Sequence, residues 1–106
     1  KITYNDVDYY DVNDFKKSII DMRLPANLPL YLQALWHDGV GDWKTAHSLI
    51  DQMTDQRSGH IHAYLHRKEG DLWNADYWYK RAGKSRPEVS LTEEWEMLVK
   101  EYSLQA

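Results

Sequence analysis

The sequence predicts one all-α domain of about six helices, with two helical hairpins at its centre and a single capping helix at each end. Three observations carry that expectation. From residue 12 onward the apolar residues recur at helical spacing, and no segment of useful length alternates with the period of two that a half-buried strand requires. A block of sequence repeats at a shift of 29 residues, bringing Gly41-Asp42 onto Gly70-Asp71. The chain has 106 residues, of which 5 Trp, 8 Tyr and 1 Phe supply bulky burial, so it can build one core and is too short for a second domain or a large enzyme scaffold.

Residues 1–11 read as an irregular, acidic arm. Its aspartates invite comparison with a calcium-binding loop, but the glycine of the sharp turn and the closing glutamate of such a loop are both missing. Helix follows over 12–24, where Val12, Phe15, Ile19 and Met22 share one face and Pro25 forces an end. The hairpins occupy 29–87. A capping helix over 90–104 closes the chain, with Ser90 and Glu93 forming a capping box ahead of the stripe Leu91, Trp95, Leu98 and Tyr102.

Within the repeat the flanks agree as well. Ala34, His37 and Ala46 coincide with Ala63, His66 and Ala75, and the apolar columns Leu32/Ile61, Trp36/Leu65, Trp43/Leu72 and Ile50/Tyr79 align. Each unit reads as helix, Gly-Asp turn, helix: the glycine takes the left-handed conformation that ends one helix, and the aspartate caps the next. The alanines allow close helix approach, while Trp43, Ile50, Leu72 and Tyr79 fill the space beside them. Gly70-Asp71-Leu72 with Ala63 ahead and Ala75, Tyr79, Ala82 and Pro87 behind resembles a tetratricopeptide repeat. The first unit matches less closely, since Met53 stands at the second alanine position and Ser58 at that of the proline. More narrowly, Gly41-Asp42-Trp43 and the segment from His62 to Asp71 (HAYLHRKEGD) resemble a group of short uncharacterised bacterial proteins, which implies no activity to carry over.

The net charge of -4 conceals a pattern. Residues 1–56 carry 5 basic and 9 acidic residues, 57–86 carry 7 and 3, and 87–106 carry 1 and 5. A basic middle between acidic ends either neutralises itself by packing or attracts an acidic partner. Nucleic-acid binding is not expected from this balance, and no apolar run is long enough for a membrane span. With no cysteine and no apolar signal region, the chain reads as a cytoplasmic protein without disulfides or thiolate metal sites.

No catalytic residue, cofactor or metal is assigned from the sequence. The expected function is a protein or peptide interaction module, recognising an acidic or extended segment or a second copy through His47, His62, Arg67, Tyr77, Trp78 and Arg81. His37 and His66, being repeat-equivalent, are expected to share a role near their helix ends. Tyr77-Trp78-Tyr79 spans too much of a helix surface for all three rings to face one core, so at least one lines a groove. The alternative is a small metal-binding or hydrolytic site on His47, His62 and His66, because His62 and His66 lie one helical turn apart. His47 or Asp38 would add a ligand, but no glutamate follows His62 to act as the general base of a zinc protease. A third reading is a structural subunit of a larger assembly.

Overall fold

The computed structural model describes residues 2–4, 7–9 and 11–103. Two three-residue strands, β1 (Ile2–Tyr4) and β2 (Val7–Tyr9), pair antiparallel with Thr3 opposite Asp8. Six helices follow: α1 (Val12–Ile20), α2 (Leu30–Val40), α3 (Trp43–Ile50), α4 (Gln56–Glu69), α5 (Leu72–Arg81) and α6 (Leu91–Ser103). The domain is all-α, as expected, but the arm read as irregular carries this short ladder. Its β-branched and aromatic residues at alternate positions suit strands, although three-residue segments are too short for periodicity to detect.

Capping explains where the helices begin. Asp11, Asp42, Asp55, Asp71 and Ser90 each accept a hydrogen bond from the backbone N–H three residues on, at 2.7–3.2 Å. Only α2 lacks a side-chain cap among the six, starting instead after Pro29. Both Gly-Asp turns are built alike. Gly41 (φ 97°) and Gly70 (φ 89°) are left-handed, with Asp42 N–H bonded to His37 O and Asp71 N–H bonded to His66 O.

The first helix corrects one boundary. α1 stops at Ile20 rather than running to 24, because Met22 enters the left-handed region at φ 54° and Arg23 N–H closes back on Ser18 O at 2.9 Å. Met22 therefore leaves the expected apolar face and is 64% exposed. Leu72 likewise lies outside the packing expected of it, being exposed at the start of α5.

α2 and α3 form one hairpin and α4 and α5 the other; α4 also packs on α2, α3 and α6, while α1 closes against α2 and α6. Ala34, Ala46, Ala63 and Ala75 are all fully buried where these helices meet. Trp95 donates its indole N–H to Leu35 O at 2.9 Å, and Trp36 donates to Ser18 Oγ at 3.0 Å, tying α6 to α2 and α2 to α1. The basic middle of the sequence pairs with both acidic ends: Lys68 with buried Asp38 at 2.9 Å, Arg67 with buried Glu94 at 2.9 Å, and Lys84 with Glu101 at 3.8 Å. Among the described residues, no helix is long and apolar enough to cross a membrane.

The left-handed positions predict opposite responses. Met22→Gly should raise the urea-unfolding free energy by up to about 1 kcal/mol, and Gly41→Ala or Gly70→Ala should lower it by about 1–2 kcal/mol. Equal and small effects at all three sites would contradict the turn assignment.

Candidate metal centre

α3 is pinned to α4 by Trp43, whose indole N–H donates to Leu65 O at 2.8 Å. That anchor positions His47, one turn further along α3, because the two rings stack at 4.9 Å with 9° between their planes. On α4, His62 and His66 lie one turn apart with rings stacked at 4.8 Å. Trp78 of α5 covers the outer side of this arrangement, stacked on His62 at 4.2 Å. Three imidazoles from two hairpins thus meet between two indoles.

Their nitrogens converge. His47 Nε2 lies 3.1 Å from His62 Nε2, and one ligand nitrogen from each of the three rings falls within 4.8 Å of the other two. Two nitrogens held by one tetrahedral zinc at bonds of about 2.0–2.1 Å stand about 3.3 Å apart, so the first pair is already near coordinating separation. His66 is oriented from behind: its Nδ1–H donates to Glu69 Oε1 at 2.7 Å, which leaves Nε2 as its ligand atom. A carboxylate behind the imidazole is the usual support of a ligating histidine. At the solvent edge, Asp51 Oδ1 lies 3.7 Å from His47 Nε2.

Electrostatics keeps one ring ready to ligate. Burial, reinforced by the neighbouring His66 and His47 and opposed by Asp51, holds His62 down at about 4. The ring is therefore neutral at physiological pH, the form that binds metals. Its Nδ1 is buried with no hydrogen-bond partner among the described residues, while its Nε2 lies at hydrogen-bond distance from His47 Nε2. A second grouping of His66, Glu69 and Asp71 is already explained, since Glu69 supports His66 and Asp71 caps α5 through Asn74.

The residues expected to form one binding patch divide into three. His47, His62 and Trp78 come together at the cluster. Tyr77 and Arg81 lie on the outward side of α5, where Arg81 sits 4.8 Å over Trp78 and 5.8 Å over Tyr77 and donates to the Tyr77 hydroxyl at 3.3 Å. Arg67 points elsewhere: it holds Glu94 and also donates to Val89 O, so it does not join His47 and His62 on the expected interaction surface. The reason is that Glu94 also accepts from Tyr79 at 2.5 Å and is 2% exposed, and a buried carboxylate takes the nearest guanidinium.

Other expectations also change. Asp38 is no ligand, because both its oxygens are taken inside the core by Lys68 and by the Tyr64 hydroxyl at 2.7 Å. His37 and His66 share a backbone role at the turns, but their side chains diverge: His37 stands edge-on to Trp36 while His66 joins the cluster. His60 is separate, bonded through Nδ1 to the Tyr102 hydroxyl at 2.7 Å and lowered to about 4 by burial against the opposing pull of Glu101. The hydrolytic reading gains no nucleophile, since Ser48 Oγ donates to Thr45 O on its own helix. The sequence reading missed Glu69 and Asp51, although both were signalled by their spacing of three and four residues from His66 and His47.

Comparison with protein-family models, curated proteins and solved structures finds no match to this chain.

Arg67 is predicted to be a structural strut. Arg67→Ala should cost about 3–5 kcal/mol in urea unfolding because Glu94 is left charged and buried, whereas Arg81→Ala should stay within about 0.5 kcal/mol of wild type. Similar small losses for both would return Arg67 to the exposed surface.

Proposed function

We propose that this domain is a metal-binding helical module in which His47, His62 and His66 hold one divalent transition-metal ion of the zinc class between α3 and α4. The observation that carries this reading is the convergence of three imidazole nitrogens, contributed by two hairpins, within 4.8 Å. Imidazole nitrogens suit zinc and its neighbours rather than magnesium or calcium, which take oxygen ligands. The neutral state of His62 and the support of His66 by Glu69 favour binding without a change of protonation at His62. The surrounding helices are already tied through a packed core, so the ion adds to a formed fold instead of creating it. In the tetratricopeptide-like reading of the hairpins, the ion sits at the junction between successive units.

One observation favours a second reading as an interaction module. Trp73, Tyr77 and Arg81 follow each other at one-turn steps on α5, with Trp73 77% exposed and stacked parallel on Tyr77 at 6.2 Å. Lys80 and Arg81 beside them have no carboxylate partner among the described residues. Such a ladder suits an acidic peptide carrying aromatic or aliphatic side chains.

Metal-free protein titrated with Zn2+ should retain one ion per chain after desalting and melt higher, gaining about 2.7 kcal/mol once free ion exceeds the dissociation constant about a hundredfold. His47→Ala, a change at a half-exposed position, should abolish the gain while preserving the fold. A chain that retains no zinc and melts unchanged would rule the reading out. For the second reading, a fluorescein-labelled glutamate-rich peptide should gain anisotropy with wild type and not with Arg81→Glu; equal binding by both would dismiss it.

A further inference from the structure

We propose that Asp51 is the fourth ligand of this centre, closing it as a four-coordinate site made entirely by the protein, so that the ion staples α3 to α4 and keeps no open position for substrate. The inference rests on the metal-binding reading and deepens it.

The geometry is two one-turn pairs facing each other. His47 and Asp51 are spaced i, i+4 along α3 and its end; His62 and His66 are spaced i, i+4 along α4. Residues at that spacing share a helix face, so each helix offers two donors to one point in the seam. His47 Nε2 is 3.1 Å from His62 Nε2 and 3.7 Å from Asp51 Oδ1. Both separations bracket the edge of a zinc tetrahedron, about 3.3 Å for ligand bonds near 2.0–2.2 Å.

Asp51 is available for this role. Its side chain is 45% exposed, and among the described residues its one other side-chain hydrogen bond is from Gln52 at 3.4 Å. Among the described residues, Glu69 is the only other carboxylate paired with a cluster histidine, and it is committed to Nδ1 of His66. Asp51 stands beside His47 and outside the group of three whose ligand atoms lie within 4.8 Å of one another, so ligation requires its exposed side chain to turn toward the seam. One carboxylate also offsets half the charge of a divalent ion held otherwise by neutral rings.

Closure has a functional consequence. A zinc site with three protein ligands and water is the catalytic pattern, whereas four protein ligands mark a structural or ion-sensing site. Ion loading should therefore change the stability of the α3–α4 seam and confer no hydrolysis.

The test is a Co2+ titration of the full metal-free chain, followed by visible absorption, for wild type and Asp51→Ala. Wild type should show the intense bands of a four-coordinate ion that thiocyanate leaves unchanged. Asp51→Ala should bind at least about tenfold more weakly, given that loss of supporting groups alone costs about 10–100-fold, and its spectrum should shift with thiocyanate as the anion replaces water. Asp51→Ala with wild-type affinity, or a wild-type spectrum that responds to thiocyanate, would overturn the assignment of Asp51 while leaving the three-histidine site standing. Failure of wild type to take up Co2+ or Zn2+ at all would overturn both.

Discussion

α4 is enclosed by α2, α3, α5 and α6, yet its sequence, QRSGHIHAYLHRKE, is rich in polar groups. A helix in that position must place every polar side chain on a partner, because a buried group without one costs about 1–3 kcal/mol. Much of the domain follows from how this requirement is met. Tyr64 and Lys68 share Asp38 of α2, Arg67 takes Glu94 of α6, and His60 takes Tyr102 of α6. Trp43 of α3 uses the carbonyl of Leu65. Each bond fixes one neighbour against α4, so polar satisfaction sets the order of the helices while Ala63, Ile61 and Leu65 set their distance.

Two buried groups of α4 escape that accounting among the described residues, Ser58 Oγ and Nδ1 of His62. His62 is as buried as the residues around it, but its ring meets other imidazoles and an indole, whereas Tyr64, Arg67 and Lys68 meet carboxylates and His60 meets a hydroxyl. The Nε2 atoms of His47 and His62 face each other at 3.1 Å, and a shared ion would use both lone pairs where a single N–H can use only one. The same seam holds Trp43 and Trp78, whose rings exclude solvent from the nitrogens and fix the planes of His47 and His62. The proposed centre is thus built where α4 turns imidazoles, and not carboxylate-paired groups, toward α3.

Local signals were legible in the sequence. The two Gly-Asp turns, the Ser90–Glu93 box and the buried alanines each depend on residues within a few positions of one another. What escaped depends on residues brought from afar or on a competing local conformation. Nothing near Arg67 announces that Glu94 lies beside it across 27 residues, and nothing in Met22 announces a left-handed turn that glycine usually supplies. Gly39 is a similar case: inside α2 it reads as a weakness, yet a Cβ there would come within 2.6 Å of Ile19 and 3.0 Å of Trp95. His62 and His66 could be paired by spacing, but the choice of third ligand between His47 and Asp38 needed the packing of α3 on α4.

Coordination at the seam between α3 and α4 is read out by X-ray absorption at the zinc edge of the zinc-loaded chain. The spectrum should show four nitrogen and oxygen neighbours at about 2.0 Å with the outer-shell scattering of three imidazoles. A six-coordinate, oxygen-dominated shell with fewer than three imidazoles would contradict the proposed centre.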